Sequence, residues 1–183
     1  IVTSLGSPIF KDQRNAVDSI VVERMRRAGG ILIGKTNVPE FGLGSHTYNT
    51  VFGSTKNAYD QSKSAGGSSG GAAVALALEM LPIADGSDFG GSLRNPAAWN
   101  NIYGFRPSRG RVPQGPSLEV FYDQFSTEGP MAKNVQDLAL LLAIQAGYDE
   151  RAPLSLKTPE GIFNENLQTD LRGKKIAWLK DLD

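Results

Sequence analysis

The sequence predicts an α/β domain, and three observations predict it. An amphipathic pattern over Asn15–Ala28 runs straight into the apolar stretch Ile31–Gly34, the helix-then-strand unit from which α/β domains are assembled. A second helix, Gly70–Met80, is followed in the same way by the strand candidate Leu81–Ala84. Finally, 183 residues, 40% of them hydrophobic, suffice for one core of ordinary size, and neither a repeat nor a linker divides residues 1–183 into two domains.

Residues 1–14 read as an extended lead-in and turn. Over Asn15–Ala28 the apolar Val17, Ile20, Val21, Met25 and Ala28 fall at helical spacing. Asp18, Glu23, Arg24, Arg26 and Arg27 make the outer face, and Gly29-Gly30 stops the helix. Ile31–Gly34 reads as a short buried strand. Lys35–Ser64, rich in Gly, Asn, Thr and Tyr without periodicity, reads as a long structured loop over one face of a sheet, and loops of that length are usually functional or disordered. Asp85–Ser92 is a second Gly/Ser loop, Pro96–Asn101 a helical turn and Ile102–Phe105 a short strand. Prolines and glycines break Pro107–Ser126 into turns. Asn134 caps a strong helix that ends at Ala146-Gly147, with Leu138, Leu141, Leu142 and Gln145 spaced by turns. Residues 148–173 are loop-like, and Lys175–Leu179 is a final strand candidate.

Basic and acidic residues balance at 19 each without a basic block, so neither nucleic acid nor an anionic membrane surface is expected as a partner. No apolar run reaches membrane-spanning length, and the opening residues lack the pattern of a signal peptide, which makes the cytoplasm the expected compartment. The chain begins at Ile1 rather than Met, which leaves an upstream segment open. Without cysteine there is no disulfide framework, thiolate zinc site or cysteine nucleophile, and the single histidine, His46, reads as a residue without catalytic duty.

Two glycine-serine clusters carry the chemistry. Gly66-Gly67-Ser68-Ser69-Gly70 has the form Gly-x-Ser-x-Gly, yet the strand that should precede a nucleophile elbow is absent, Asp60–Ala65 being polar, and His46 comes before the cluster rather than after it. No Gly-Lys-Ser/Thr follows to make a phosphate loop. A serine without histidine needs another base, and a lysine of depressed pKa is the known alternative, with a second serine bridging them where they stand too far apart. In the second cluster, Phe89-Gly90-Gly91-Ser92 sets several backbone N–H groups beside one hydroxyl. Such donors stabilise a tetrahedral oxyanion, each worth about 3 kcal/mol.

Together, Gly-Gly-Ser-Ser-Gly-Gly at 66–71 and Gly-Ser-Asp-Phe-Gly-Gly-Ser-Leu-Arg-Asn-Pro at 86–96 resemble the amidase signature family. The resemblance extends through Gly34-Lys35-Thr36-Asn37-Val38-Pro39-Glu40-Phe41, Tyr103-Gly104-Phe105-Arg106-Pro107 and Gly129-Pro130-Met131-Ala132. It implies a mixed sheet covered by helices, part of the amidase signature fold, and a Ser-cisSer-Lys amidase. By that similarity Ser92 is the nucleophile and Ser68 the proton relay after a cis peptide bond from Gly67. The N–H groups of Phe89, Gly90, Gly91 and Ser92 form the oxyanion hole. Ser69, Asp88 and Arg94 are supporting residues, with an Asp88–Arg94 pair as the brace, and Gly42, Leu43 and Gly44 line the acyl-binding cleft. The resemblance implies neither metal nor cofactor. The expected partner is a small-molecule amide, with self-association into a homo-oligomer left open.

One departure concerns the base. The family's catalytic lysine lies on a strand before the segment that corresponds to Ile1, so no residue here matches it; Lys35 and Lys63 stand elsewhere in the pattern and are not assigned. The sequence is therefore expected to be a piece of a larger amidase. Two alternatives are the amidase subunit of a tRNA-dependent amidotransferase, against which the Asn95 and Trp99 context looks more like that of stand-alone amidases, and an inactive shortened relative serving as an interaction module.

Overall fold

The computed structural model describes residues 1–117, 125–159 and 161–178. Its elements alternate as an α/β chain should. Helix α1 spans Ile20–Arg27, and strands β1 (Tyr48–Asn49) and β2 (Gly53–Ser54) form a small hairpin. Helix α2 (Gly70–Ala77), strand β3 (Ile83–Asp88), helix α3 (Arg94–Trp99), strands β4 (Tyr103–Gly104) and β5 (Thr127–Ala132), and helix α4 (Val135–Gln145) follow.

Helix α1 starts five residues later than its apolar spacing suggests, because Ser19 accepts the Val22 N–H on its hydroxyl and ends the extended lead-in. Val17 is left outside the helix and exposed. Arg24, expected on the outer face, instead turns inward. Its guanidinium donates to the carbonyls of Gln145 (2.7 Å), the last residue of α4, and of Gly147 (3.2 Å) and Tyr148 (2.9 Å) just beyond it, closing the helix end. At the other end of α4, Asn134 accepts the Asp137 N–H at 2.8 Å, as its cap position predicts. Val21, Val112 and Leu142 pack where the two helices meet.

The main sheet has the order β3-β5-β4, antiparallel throughout, with Ile83 opposite Ala132, Asp88 opposite Thr127 and Tyr103 also opposite Ala132. Its central strand, β5, went unread in the sequence, since Gly129-Pro130 is a turn signal. Proline is tolerated here because Pro130 needs only its carbonyl, which accepts the Phe105 N–H at 3.1 Å. Strand β3 was expected to stop at Ala84 but continues to Asp88, so the first half of the second Gly/Ser loop is sheet. Helices α2 and α3 cover this sheet through Ala72, Ala73, Leu76, Leu93 and Ala97, packed with Met131. Alanines on α2 allow the close approach, and Leu76 fills the centre at 0% exposure.

Helix α2 ends at Ala77, short of the expected Met80. Glu79 takes φ 59°, and the Glu79 and Met80 N–H groups return to Leu76 and Ala75, a Schellman closure made without the glycine that would have announced it. Ile31–Gly34 is not a buried strand. No described residue pairs with it, and Ile31 and Ile33 are 89% and 72% exposed; apolar residues favour an extended backbone, but a strand also needs a neighbour to bond. Within Lys35–Ser64 the loop reading holds except for a single 3-10 turn at Glu40–Gly42, the β1–β2 hairpin and a bridge between Lys56 and Ser64. Residues 107–117 and the described part of 148–173 form no regular element, residues 118–124 of the predicted turn region lie outside the described residues, and 175–178 form no strand, Leu179 again lying outside them. Among the described residues no helix is long and apolar enough to cross a membrane.

Candidate functional site

The first glycine loop is set by crowding. Ala65 through Gly70 are buried, and a Cβ added at Gly67 would stand 2.9 Å from the backbone of His46, while one at Gly71 would stand 2.5 Å from the Asn37 nitrogen. Glycine is therefore needed at these positions for space. Thr47, itself buried, closes the loop from outside: its hydroxyl donates to the carbonyls of Gly66 (2.8 Å) and Ser68 (3.3 Å) and accepts the Gly70 N–H at 3.1 Å. The Gly67–Ser68 peptide bond is cis, as the resemblance implies. Ser68 is 5% exposed. His46 takes no part through its ring, which bonds Ser64 (Nδ1 to Oγ, 2.9 Å) and leans on Trp99.

The second loop is set by one carboxylate. Asp88, the last residue of β3, is fully buried, and its oxygens accept the N–H groups of Gly91 (2.7 Å), Leu93 (3.1 Å) and Arg94 (3.3 Å). The Arg94 guanidinium donates to both oxygens at 3.0 Å. A second guanidinium, that of Arg106, reaches Asp88 Oδ1 and the Asp88 carbonyl through Nε, both at 3.3 Å. Burial alone would raise the Asp88 pKa. The hydrogen bonds from Arg94 and from the backbone N–H groups of Gly91, Leu93 and Arg94 outweigh it and hold the carboxyl at about 2.

The Gly91 N–H already has an acceptor in Asp88, at 2.7 Å. Among the described residues the N–H groups of Phe89, Gly90 and Ser92 have no hydrogen-bond partner. They are the donors the loop keeps free.

The two loops meet directly. The Ser69 N–H donates to the Ser92 carbonyl at 3.2 Å. Its hydroxyl does not cap α2 as its position would suggest but turns to β3, accepting the Ser87 N–H at 3.2 Å and donating to the Ser87 carbonyl at 3.3 Å. Opposite this contact a Cβ on Gly86 would stand 2.6 Å from the Ser69 hydroxyl. The residue after Ser68 thus touches the backbone of Ser92, which lies at the foot of α3. Gly42, Leu43 and Gly44 are exposed, and no hydrogen bond or ring contact among the described residues joins them to either loop.

Two functional supports went unread in the sequence: Arg106, although the Tyr-Gly-Phe-Arg-Pro motif flagged its position, and the staples from distant polar side chains. Besides Thr47, the staples include fully buried Asn100, whose amide donates to the Ala65 carbonyl at 2.8 Å. Among the described residues no group of three or more His, Cys, Asp or Glu is placed to hold a metal ion.

Residues 1–183 match the family model described as Amidase. A glutamyl-tRNA(Gln) amidotransferase subunit of Lacticaseibacillus paracasei is 41% identical over 181 residues, 99% of this chain and 37% of the relative. Among solved structures, a bacterial aryl acylamidase of the amidase signature enzymes superposes with a TM-score of 0.78 at 43% identity, covering 81% of this chain and 31% of that one. The 6-aminohexanoate cyclic dimer hydrolase superposes with a TM-score of 0.82 at 34% identity, covering 86% and 34%. The chain thus spans about a third of the length of the relatives it matches.

Proposed function

The chain belongs to the amidase signature family, and from that membership we propose that the protein hydrolyses a carboxylic amide to acid plus ammonia or amine through a serine acyl-enzyme. The Ser92 hydroxyl adds to the amide carbonyl, its proton passes to the Ser68 oxygen as Ser68 gives its own hydroxyl proton to a neutral lysine, and the carbonyl oxygen becomes an oxyanion held by the free N–H groups of Phe89, Gly90 and Ser92. Collapse breaks the C–N bond as the leaving nitrogen takes a proton back through Ser68. Water then adds to the acyl ester by the same path in reverse. That lysine, implied by the family resemblance and matched by no residue of 1–183, holds the proton until Ser68 carries it back. Gly42, Leu43 and Gly44 belong to the acyl side of the cleft in this reading.

The observation that carries the proposal is the contact between the loops, with the Ser69 N–H on the Ser92 carbonyl at 3.2 Å. Two hydroxyl-bearing loops far apart in sequence are held as one unit, while donors beside Ser92 stay unpaired. In the full-length protein Ser92→Ala should abolish amide hydrolysis and covalent labelling by a fluorophosphonate. Labelling retained at the wild-type rate would remove Ser92 from the mechanism.

A second reading is favoured by the relatives named as glutamyl-tRNA(Gln) amidotransferase subunits. In it the same amide chemistry releases ammonia for a partner protein, and the partners extend beyond a small-molecule substrate. Co-purification of the full-length protein with a second polypeptide, and glutamine hydrolysis stimulated by that polypeptide, would select this reading over a stand-alone amidase.

A further inference from the structure

We infer that Arg106 is the positioning residue that fixes the oxyanion loop to the sheet, a role Arg94 cannot fill. This inference rests on the amidase reading of the same loop. The two guanidiniums contact the same carboxylate from different parts of the fold. Arg94 lies in the first turn of α3, six residues after Asp88, and its backbone N–H bonds the same Asp88 oxygen that its side chain grips (3.3 and 3.0 Å). It shapes the loop from within and moves with it.

Arg106 comes from beyond the end of β4, on a segment that the sheet itself holds, since the preceding residue donates its N–H to the Pro130 carbonyl of β5 at 3.1 Å. Its Nε meets both the Asp88 carboxylate and the Asp88 main-chain carbonyl, each at 3.3 Å, at the residue where β3 leaves the sheet for the glycine loop. Its Nη2 donates to the Phe125 carbonyl at 3.2 Å, two residues ahead of β5. The Phe125 ring lies 5.8 Å from that of Phe89, inside the oxyanion loop, and 5.1 Å from the Arg109 guanidinium. One planar fork therefore joins the exit of β3, the entry of β5 and, through Phe125, the first residue of the donor set. Its side chain is 33% exposed against 55% for Arg94, so it works in the drier environment, where a charge-assisted hydrogen bond is less weakened by solvent. A lysine cannot reproduce the arrangement, because its donors all radiate from one atom and do not span the separate Nε and Nη2 positions that reach Asp88 and the Phe125 carbonyl.

Loss of this anchor leaves the loop intact but displaced relative to Ser68 and the bound amide. A misplacement of about 1 Å costs on the order of 100-fold in rate. The test uses the full-length protein, with an amide substrate and a fluorophosphonate probe, on wild type, Ser92→Ala, Arg106→Ala and Arg106→Lys. The expected result for Arg106→Ala is a kcat lower by about 100-fold and an equally slowed labelling rate, with KM within a few-fold of wild type and partial recovery on adding millimolar guanidinium. Arg106→Lys should fall between. If Arg106→Ala does not fold, Arg106→Lys still decides the matter by its labelling rate per folded molecule. Wild-type kcat and labelling per folded molecule in either variant would overturn the inference, as would a loss fully accounted for by a smaller folded fraction. A wild-type protein that the probe does not label would instead overturn the amidase reading itself.

Discussion

The two glycine loops have nearly the same composition and are made rigid by opposite means. The first, Gly66–Gly71, is held from outside by steric contact. Thr47, the His46 backbone and Asn37 close in on it until side chains no longer fit at 67 and 71. The second, Phe89–Ser92, is held from below by charge: Asp88 gathers three backbone N–H groups and two guanidiniums, while Phe89 and Gly90 remain exposed. The difference teaches how a site can expose reactive groups and keep them still. In the proposed reaction the buried loop needs only to deliver Ser68. The open one must leave N–H groups unpaired, so its order comes from a carboxylate behind it rather than from packing around it.

The largest effect should come from removing that carboxylate. Asp88→Ala leaves the Gly91 and Leu93 N–H groups and the arginines without their shared acceptor, at a cost of about 3 kcal/mol in stability and a kcat at least ~100-fold lower. Urea unfolding and steady-state kinetics would measure both, and a variant with wild-type kcat would show that the charge does not order the loop. The pH dependence sharpens the same point. Because the Asp88 pKa is lowered to about 2 in the folded protein, its contribution is fully present above the ordinary carboxylate value near 3.8 and is lost as pH falls from there toward 2. Asp88→Asn should remove that part of the acid dependence of stability.

This charge-built loop was the more legible of the two in the sequence. Its parts are local: Asp88, the glycines, Ser92 and Arg94 lie within seven residues, so the family resemblance carried by that one segment implied the Asp88–Arg94 brace as well. The anchors of the first loop are spread across the chain, from Thr47 to Asn100, and a threonine or asparagine carries no mark of the carbonyl it will meet. The same rule governs the fold. Helices α1, α2 and α4 could be read from local periodicity and caps. Strand β5 could not, because its place between β3 and β4 is decided by distant pairing that overrides the turn signal of Gly129-Pro130. Ile31–Gly34 errs the other way, with local strand character and no described partner. Even within the legible loop, the commitment of the Gly91 N–H to Asp88 needed coordinates.

A smaller effect should follow from filling the space at Gly71. Alanine there would place its methyl carbon 2.5 Å from the Asn37 nitrogen and 2.6 Å from the Asn37 oxygen, both backbone atoms that cannot swing aside. Overpacking of this kind costs about 1–3 kcal/mol, and the loss should appear in the urea midpoint while kcat per folded molecule stays close to wild type. An unchanged midpoint would mean that the first loop is not held by crowding.

The smallest effect on stability is expected at Gly90, which makes it the most discriminating test of the contrast. A Cβ added there meets no atom of the described residues within 4 Å, and its φ lies outside the left-handed region, so nothing among them calls for glycine. Gly90→Ala should leave stability within about 0.5 kcal/mol of wild type by urea unfolding. The methyl would nonetheless project beside an unpaired N–H in the donor set and obstruct any carbonyl approaching it. A fall in kcat/KM at unchanged stability would therefore identify glycine at 90 as a requirement of the substrate rather than of the fold, the reverse of Gly71. Equal kcat/KM for the two proteins would place the reacting carbonyl elsewhere and remove the Gly90 N–H from the oxyanion hole.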